Sequence, residues 1–221
     1  MQGGRHDFHT HTILSDGQLL PIEAIRTAGA LGYRAVAITE HIGAEDSAPL
    51  MDRLRKECEM GSEGFGITAL WGVEITHVPP RFIPRVAEQA RKAGARIILA
   101  HGETLVEPVA RGTNIAALRS DIDILAHPGL ISRREAEVAA ERGIFLELTS
   151  RQGHSYTNGH VARVGMAAGA LLLLNSDSHA ARDMIDQKMA SKVALGAGLR
   201  AKDVERVLVE NPRILLKRLG N

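Results

Sequence analysis

Short apolar runs rich in β-branched residues alternate along the chain with longer segments that repeat apolar residues at helical spacing. Runs such as Ile97-Ile98-Leu99 and Leu171-Leu172-Leu173-Leu174 are typical of parallel strands buried on both faces. The pattern predicts strands at 7–12, 35–39, 68–76, 95–100, 122–126, 144–149 and 170–176.

The segments between these strands begin and end with residues that are typical of helix termini. Pro21 and Pro84 suit the first helical turn, and each of four glycines follows a helical segment as a C-terminal cap. These glycines are Gly32, Gly94, Gly143 and Gly169. The predicted helices are 21–31, 49–60, 84–93, 114–120, 133–142 and 160–168, followed by a tail, 201–219, of two short helices broken at Asn211-Pro212.

Seven strand–helix units without a glycine-rich phosphate loop after the first strand favour a closed or nearly closed barrel over an open sheet. We therefore predict an α/β fold, a distorted seven-stranded (β/α)7 TIM-like barrel, in a single domain over residues 1–221.

Composition narrows the classes of partner. The 27 Lys and Arg residues against 26 Asp and Glu residues give a net charge of +1, and aromatic residues are 3% of the chain. This balance favours neither nucleic acid nor membrane as a partner. With one cysteine, Cys58, and no apolar signal region or membrane-length run, we expect a soluble cytoplasmic protein, and a homo-oligomer is compatible with this sequence.

Nine side chains that bind transition metals lie at the ends of the predicted strands. They are His9, His11, Asp16, His41, Glu74, His101, His127, Asp177 and His179. Strand ends at one rim of a barrel bring residues that are distant in sequence around one pocket. Imidazole and carboxylate ligands suit Zn²⁺, Mn²⁺ or Fe²⁺, and nine are enough for two or three adjacent ions.

These residues belong to motifs that resemble those of the PHP (polymerase and histidinol phosphatase) superfamily. The motifs are Asp-Phe-His-Thr-His-Thr with Ser-Asp-Gly following, Ile-Thr-Glu-His, Gly-Val-Glu, the lone His101, Ala-His-Pro and Asn-Ser-Asp-Ser-His, in the order of the family between positions 7 and 179. The resemblance implies a distorted seven-stranded barrel, which agrees with the strand pattern.

The resemblance also implies three divalent ions. His9, His11, Glu74 and Asp177 would hold one, and Glu74 would bridge to a second at His101 and His127. Asp16, His41 and His179 would hold the third. Some members of the family have His where this chain has Asp16, a difference that bears on the metal preference of the third site.

Three divalent ions and the three carboxylates would leave about three positive charges, a surplus that suits a phosphate dianion. We therefore predict a histidinol-phosphatase-like phosphoesterase that hydrolyses a small phosphomonoester with a metal-activated hydroxide. Glu74, Asp177 and His154, a candidate proton donor, are its predicted catalytic residues, and Arg151 its predicted phosphate-binding residue.

Several other positions have two interpretations each. Asp7 either orients a ligand or closes the barrel base, and Glu103 either contacts a polar substrate group or is a solvated loop acid. His77 and His160 either line the pocket or are ordinary loop and cap residues. We expect Asn158 to cap the helix that starts near His160, and His6 to be exposed.

Other functions compete with the phosphatase. A phosphodiesterase or 3′-5′ exonuclease of the PHP type is the nearest alternative, and the neutral charge and few aromatics argue against it. A non-catalytic barrel scaffold is opposed by the complete ligand set. A metal-dependent amide hydrolase would need a positioned acid–base residue, for which His154 is the candidate.

Overall fold

The computed structural model describes residues 4–45 and 47–220. Seven parallel strands form one sheet in chain order, which curves into a nearly closed barrel with helices outside it. The strands are β1 (Arg5–Asp7), β2 (Tyr33–Ile42), β3 (Thr68–Ile75), β4 (Ile97–His101), β5 (Ile124–Ala126), β6 (Phe145–Thr149) and β7 (Leu172–Asn175). The predicted TIM-like α/β fold is confirmed.

The helices follow the predicted alternation and add one that the sequence pattern did not indicate. They are α1 (Pro21–Ala30), α2 (Ala48–Phe65), α3 (Ile83–Lys92), α4 (Thr113–Leu118), α5 (Arg133–Arg142), α6 (Asn158–Ala168), α7 (Gln187–Gly196), α8 (Ala201–Glu205) and α9 (Asn211–Arg218). The unpredicted helix is α7. The four predicted cap glycines all have positive φ, between 67° and 97°.

The predicted break at Asn211-Pro212 is wrong. A π-helical turn, Arg206–Glu210, connects α8 directly to α9. Pro212 follows this turn at the second position of α9, and the π-helical turn accommodates a residue without an N–H. The side chain of Asn211 is also engaged, because its amide donates to the carbonyl of Leu172 at 2.7 Å.

Alternating side chains on the strands divide the core in two. On β4, Ile97 and Leu99 join a small cluster inside the barrel, whereas Ile98 packs in the larger layer between sheet and helices. Leu215 of α9 also belongs to the inner cluster, so the last helix covers that part of the barrel interior.

The barrel closes between β1 and β7 through a seam of individual contacts. The Arg5 guanidinium donates to the carbonyl of Leu174 at 2.8 Å, and the Ser176 N–H donates to Asp7 at 3.0 Å. Thr10 and Ser178 then form an isolated parallel bridge. Since Asp7 also pairs with Arg5 at 3.2 Å, its buried carboxylate contributes to this closure.

The expectation that His6 is exposed is wrong, because its relative exposure is 6%. Burial and the neighbouring charge of Arg5 lower its pKa to about 4. Among the helices of the described residues, none has the length and apolar character needed to cross a membrane.

Candidate metal centre

Three predicted ligands continue the inward-facing series of their strands. His101 follows Leu99 by two positions on β4, and His41 lies four positions after the inward Ala37 on β2. Glu74 of β3 is the register partner of His41. The same alternation that fills the barrel with apolar side chains thus brings these ligands to its carboxyl end.

Two other ligands depend on strained backbone. His127, directly after β5, has φ of 26°, and Asp177, two residues after β7, has φ of 51°. Together with His77 they are the non-glycine residues with positive φ in the described ranges. Such conformations cost about 1–3 kcal/mol each and are found where side-chain placement requires them.

His9 and His11 lie beyond β1, which ends at Asp7 and not at the predicted position 12. The seam positions them instead, because the His11 N–H donates to the carbonyl of Ser178 at 2.8 Å. The next turn, which leads to Asp16, is held by Glu40. This buried carboxylate accepts from the N–H of Thr12 at 3.2 Å.

All nine predicted ligands come together. Ligand atoms within 4.8 Å of one another form overlapping groups: His9, His11 and Glu74; His9, His127 and Asp177; Glu74, His101 and His127; and His11, Asp16, His41 and His179. The second and third sets implied by the family resemblance lie within single groups, the third together with His11, whereas Asp177 is grouped with His9 and His127 and not with His11 and Glu74.

Distances between ligand atoms fit shared cations. Two ligands about 2.1 Å from one ion at the tetrahedral angle lie roughly 3.4 Å apart. The Nε2 atom of His9 lies 3.3 Å from Glu74 Oε2, and that of His127 lies 3.4 Å from Glu74 Oε1. The Nε2 atom of His179 lies 3.2 Å from Asp16 Oδ1.

Buried polar atoms of this cluster lack hydrogen bonds to any described residue. They are Nε2 of His9, both ring nitrogens of His11, both carboxylate oxygens of Glu74 and Nδ1 of His127. Leaving such atoms unsatisfied costs about 1–3 kcal/mol each. Divalent cations would satisfy those that face the interior of the cluster, so the donor set fits Zn²⁺, Mn²⁺ or Fe²⁺.

Without ions, protons on the imidazoles balance the carboxylates. Burial opposes a charge on His9, yet Glu147, Asp177 and Glu74 raise its pKa well above the ordinary value. Burial likewise opposes the charge on His41, yet the nearby carboxylates of Asp16 and Glu74 raise its pKa to about 10. Cations that bind here therefore displace protons.

Glu147 on β6 is a buried carboxylate that the sequence analysis did not select. Its Oε1 accepts from His9 Nδ1 and from the amide of Asn175, both at 2.8 Å. Its Oε2 accepts from the N–H of His127 at 2.9 Å. Glu147 thus fixes the ring of His9 with Nε2 toward the cluster, as partners of ligands do.

Arg151 and His154 line the same pocket of about 440 Å³ as seven of the nine predicted ligands, all but His9 and His11. The guanidinium of Arg151 donates to the carbonyl of Asp177 at 3.1 Å and lies 2.8 Å from Nδ1 of His179. The ring of His154 stacks on that of His127 with centroids 4.2 Å apart. Burial and the charge of His127 lower the pKa of His154 to about 4.

Glu103 serves neither of its predicted alternatives. Its Oε1 accepts from the N–H groups of Gly112 and Asn114 at 2.9 and 3.0 Å, so it anchors the start of α4. This half-buried acid therefore has a structural role through its Oε1 atom.

Asn158 and His160 also have structural partners. The amide of Asn158 bonds both to the N–H and to the carbonyl of Thr149, at 3.1 and 2.8 Å, so it ties α6 to β6 and does not cap the helix. His160 Nε2 donates to the carbonyl of Ile131 at 2.8 Å.

A second acid that the sequence did not single out, Glu107, lies at the mouth in the loop after β4. Its oxygens lie 3.2 Å from His77 Nε2, 3.0 Å from His101 Nε2 and 3.2 Å from His154 Nε2. The hydrogen bond with His101 lowers the pKa of Glu107 to about 2. His77 lines the pocket, which agrees with the first of its two interpretations from the sequence.

The model of the PHP domain family matches residues 7–187, a range that contains every predicted ligand. The chain belongs to the PHP domain family. The family is one of phosphatase-like, metal-dependent hydrolases, and the clustered histidines and carboxylates of this member indicate divalent-metal binding.

This PHP protein is similar to other proteins over nearly its whole length. An uncharacterized protein of Methanocaldococcus jannaschii is 47% identical over 218 residues, covering 97% of this chain and all of the relative. A protein named probable phosphatase from Shewanella loihica is 30% identical over 228 residues, covering 96% and 91% of the two chains.

Solved structures show the same fold at low identity. The histidinol phosphate phosphatase of Lactococcus lactis subsp. lactis, complexed with zinc, L-histidinol and phosphate, has a TM-score of 0.60 at 16% identity, over 98% of this chain and 94% of that one. A chain in archaeal ribonuclease P with mature tRNA has a TM-score of 0.73 at 16% identity, over 96% and 91%. At this identity both comparisons concern the fold alone.

Proposed function

We propose that this PHP protein hydrolyses small phosphomonoesters at a trinuclear metal centre. The observation that carries the proposal is the convergence of nine potential ligands whose buried polar atoms include several without a hydrogen-bond partner among the described residues. The probable phosphatases among the relatives support a phosphatase in preference to another hydrolase.

The proposed ligand sets are those of the family resemblance. His9, His11, Glu74 and Asp177 would hold one ion; Glu74, His101 and His127 the second; Asp16, His41 and His179 the third. The last two sets lie within observed groups, and Asp177 lies 3.6 Å from His9 Nε2 and 3.4 Å from His11 Nε2 of the first set. Bound divalent ions would neutralise charge on the phosphate and lower the pKa of a water molecule toward about 7, which makes it a nucleophile for phosphorus. Glu74 and Asp177 would act as catalytic residues by holding these ions.

The charge of the pocket favours a phosphate monoester. Three divalent ions carry six positive charges, and Asp16, Glu74 and Asp177 bring three negative charges. The resulting excess of about three positive charges matches a dianion better than the monoanion of a diester. A histidinol-phosphatase-like reaction on a small phosphorylated metabolite is the form of activity we propose.

Arg151 and His154 act on the substrate from the pocket wall. The Arg151 guanidinium, partly exposed between Asp177 and His179, binds phosphate oxygens. Nδ1 of His154 lies 2.7 Å from the hydroxyl of Thr104. If that hydroxyl donates, the proton of the neutral ring is on Nε2, toward the pocket, where it can donate a hydrogen bond to the leaving oxygen.

Parallel assays test the proposed activity. Metal-depleted protein receives Mn²⁺ or Zn²⁺ and is given 4-nitrophenyl phosphate, bis(4-nitrophenyl) phosphate or single-stranded DNA. We expect the monoester to be turned over fastest, followed by a positive result in a panel of metabolite monoesters. Faster turnover of the diester or DNA would contradict the proposal, and failure to take up any metal would favour a scaffold.

A further inference from the structure

The carboxylate of Glu107 gathers imidazoles on the outer side of the metal centre. Its Oε2 lies 3.2 Å from His77 Nε2 and 3.0 Å from His101 Nε2. Ligand atoms of these three residues all lie within 4.8 Å of one another. Neither His77 nor Glu107 belongs to the nine predicted ligands, so these two residues have no role in the proposed reaction.

The backbone of His77 resembles that of the inner ligands. Its φ of 54° is close to that of Asp177, and His127 is the third non-glycine residue with positive φ in the described ranges. Strain at this position has no evident packing purpose, because the side chain of His77 is 46% exposed. The strained conformation does place its Nε2 beside Glu107, which gives the strain a ligand-binding reason.

We propose that His77, His101 and Glu107 form an outer divalent-cation site at the mouth of the pocket. The two distances at Glu107 are in the range of the roughly 3.4 Å that separates ligands sharing a tetrahedral ion. Two imidazoles and one carboxylate form a ligand set that suits Zn²⁺, Co²⁺ or Mn²⁺. This site rests on the proposed metal centre, with which it shares His101.

His101 makes the outer and inner positions alternatives. Its Nδ1 donates to the carbonyl of Gly102 at 3.1 Å, so only Nε2 is free to bind a cation. That nitrogen belongs both to the outer cluster and to the group with Glu74 and His127. One ion therefore occupies either the outer or the inner position, and movement between them exchanges the partners of His101.

The difference in burial between the two positions indicates which of them an ion reaches first. The side chains of His77 and Glu107 are 46% and 34% exposed, whereas those of Glu74 and His127 are each 1% exposed. A hydrated divalent ion loses its water in steps, and a carboxylate at the mouth compensates the first loss. The outer site is thus the position that an ion reaches before it enters the buried centre.

Crystals of a variant with a weakened inner position test the location. His127→Ala protein is loaded with Co²⁺, and anomalous scattering locates the ions. We expect a peak within coordination distance of His77 and Glu107 that disappears in His127→Ala/Glu107→Gln. His127→Ala/Glu103→Gln is the matched control and should retain the peak, since Glu103 lies on the same loop but binds backbone. A cation found only beside Glu74 in His127→Ala would overturn the proposal.

Uptake kinetics test the same site in the protein with an intact inner position. We expect Glu107→Gln and His77→Gln to slow Co²⁺ uptake by metal-free protein about tenfold, the lower end of the loss that follows removal of a partner of a ligand. Glu103→Gln should match the wild type, and the final metal content should be unchanged. Equal uptake rates in all four proteins would overturn the proposal. Both readouts follow the metal, so they stand apart from whether phosphomonoesters are hydrolysed.

Discussion

Glu74 and Glu147 are equally buried carboxylates in two neighbouring regions of the barrel, with 1% relative exposure each, and their surroundings differ sharply. The oxygens of Glu147 accept hydrogen bonds from His9, Asn175 and the backbone of His127. Those of Glu74 have no hydrogen-bond partner among the described residues and face imidazoles instead.

The difference separates a ligand from the residue that positions a ligand. A carboxylate whose lone pairs already accept hydrogen bonds from the protein has little capacity left to bind a cation. A buried carboxylate without such hydrogen bonds, surrounded by imidazoles, is stabilised by a bound cation. The region around Glu147 is complete within the protein, whereas ions would complete the region around Glu74. Three measurements test this contrast.

The largest effect is expected for Glu74→Gln. Losing the carboxylate shared by two ligand groups should lower metal retention and monoester turnover by more than about 100-fold, the upper end of the effect of removing a ligand's partner. Metal analysis after gel filtration and steady-state kinetics measure both. Glu88→Gln, on the exposed face of α3, is the matched control. Retention of three ions by Glu74→Gln would remove the distinction between the two carboxylates.

A smaller effect is expected for Glu147→Gln. The amide cannot accept all three hydrogen bonds, so His9 and His127 lose orientation, and metal affinity should fall about 10- to 100-fold. Activity should return at high metal concentration, in contrast to Glu74→Gln. Titrations of activity against free Mn²⁺ measure the shift. An activity loss that excess metal does not restore would place Glu147 among the ligands or the catalytic residues.

The third measurement concerns protons. The pKa values of His9 and His41 are raised in the metal-free protein, that of His41 to about 10, so His41 is protonated at pH 8 and His9 keeps its proton to a higher pH than an ordinary imidazole. Ion binding must release these protons, and affinity should rise about tenfold per pH unit for each proton released. Calorimetry in buffers of different ionisation enthalpy counts the protons. Binding that is independent of pH between 6 and 8 would contradict this protonation state.

Sequence alone was sufficient for the barrel and for the positions of the nine predicted ligands. Strand periodicity extends from apolar inward positions such as Leu99 to His101, so the same pattern predicts both the core and the ligand. The motifs around His9 and Asp177 then gave the family, which the match over residues 7–187 confirms.

The roles of the residues around the predicted ligands depend on contacts between segments that are far apart in sequence. Glu147 is 138 residues from His9, and its only signal was a lone acid in the apolar strand Phe-Leu-Glu-Leu-Thr. Glu107 lies in an irregular loop without periodicity, beside Leu105 and Val106. The prediction that His6 is exposed was wrong because β1 begins at Arg5 and includes it. The predicted break in the tail was wrong because a π-helical turn accommodates Pro212.

Ions bound next to the seam between β1 and β7 would also stabilise the closure of the barrel. Residues 9–11 and 177–179 come from opposite ends of the chain, and the hydrogen bonds at Thr10 and Ser178 hold them side by side. A cation bound by His9, His11 and Asp177 would connect the first strand to the last in addition to these hydrogen bonds. Loading the centre would thereby stabilise the seam that closes the barrel, so that catalysis and the closure of the fold depend on the same few atoms.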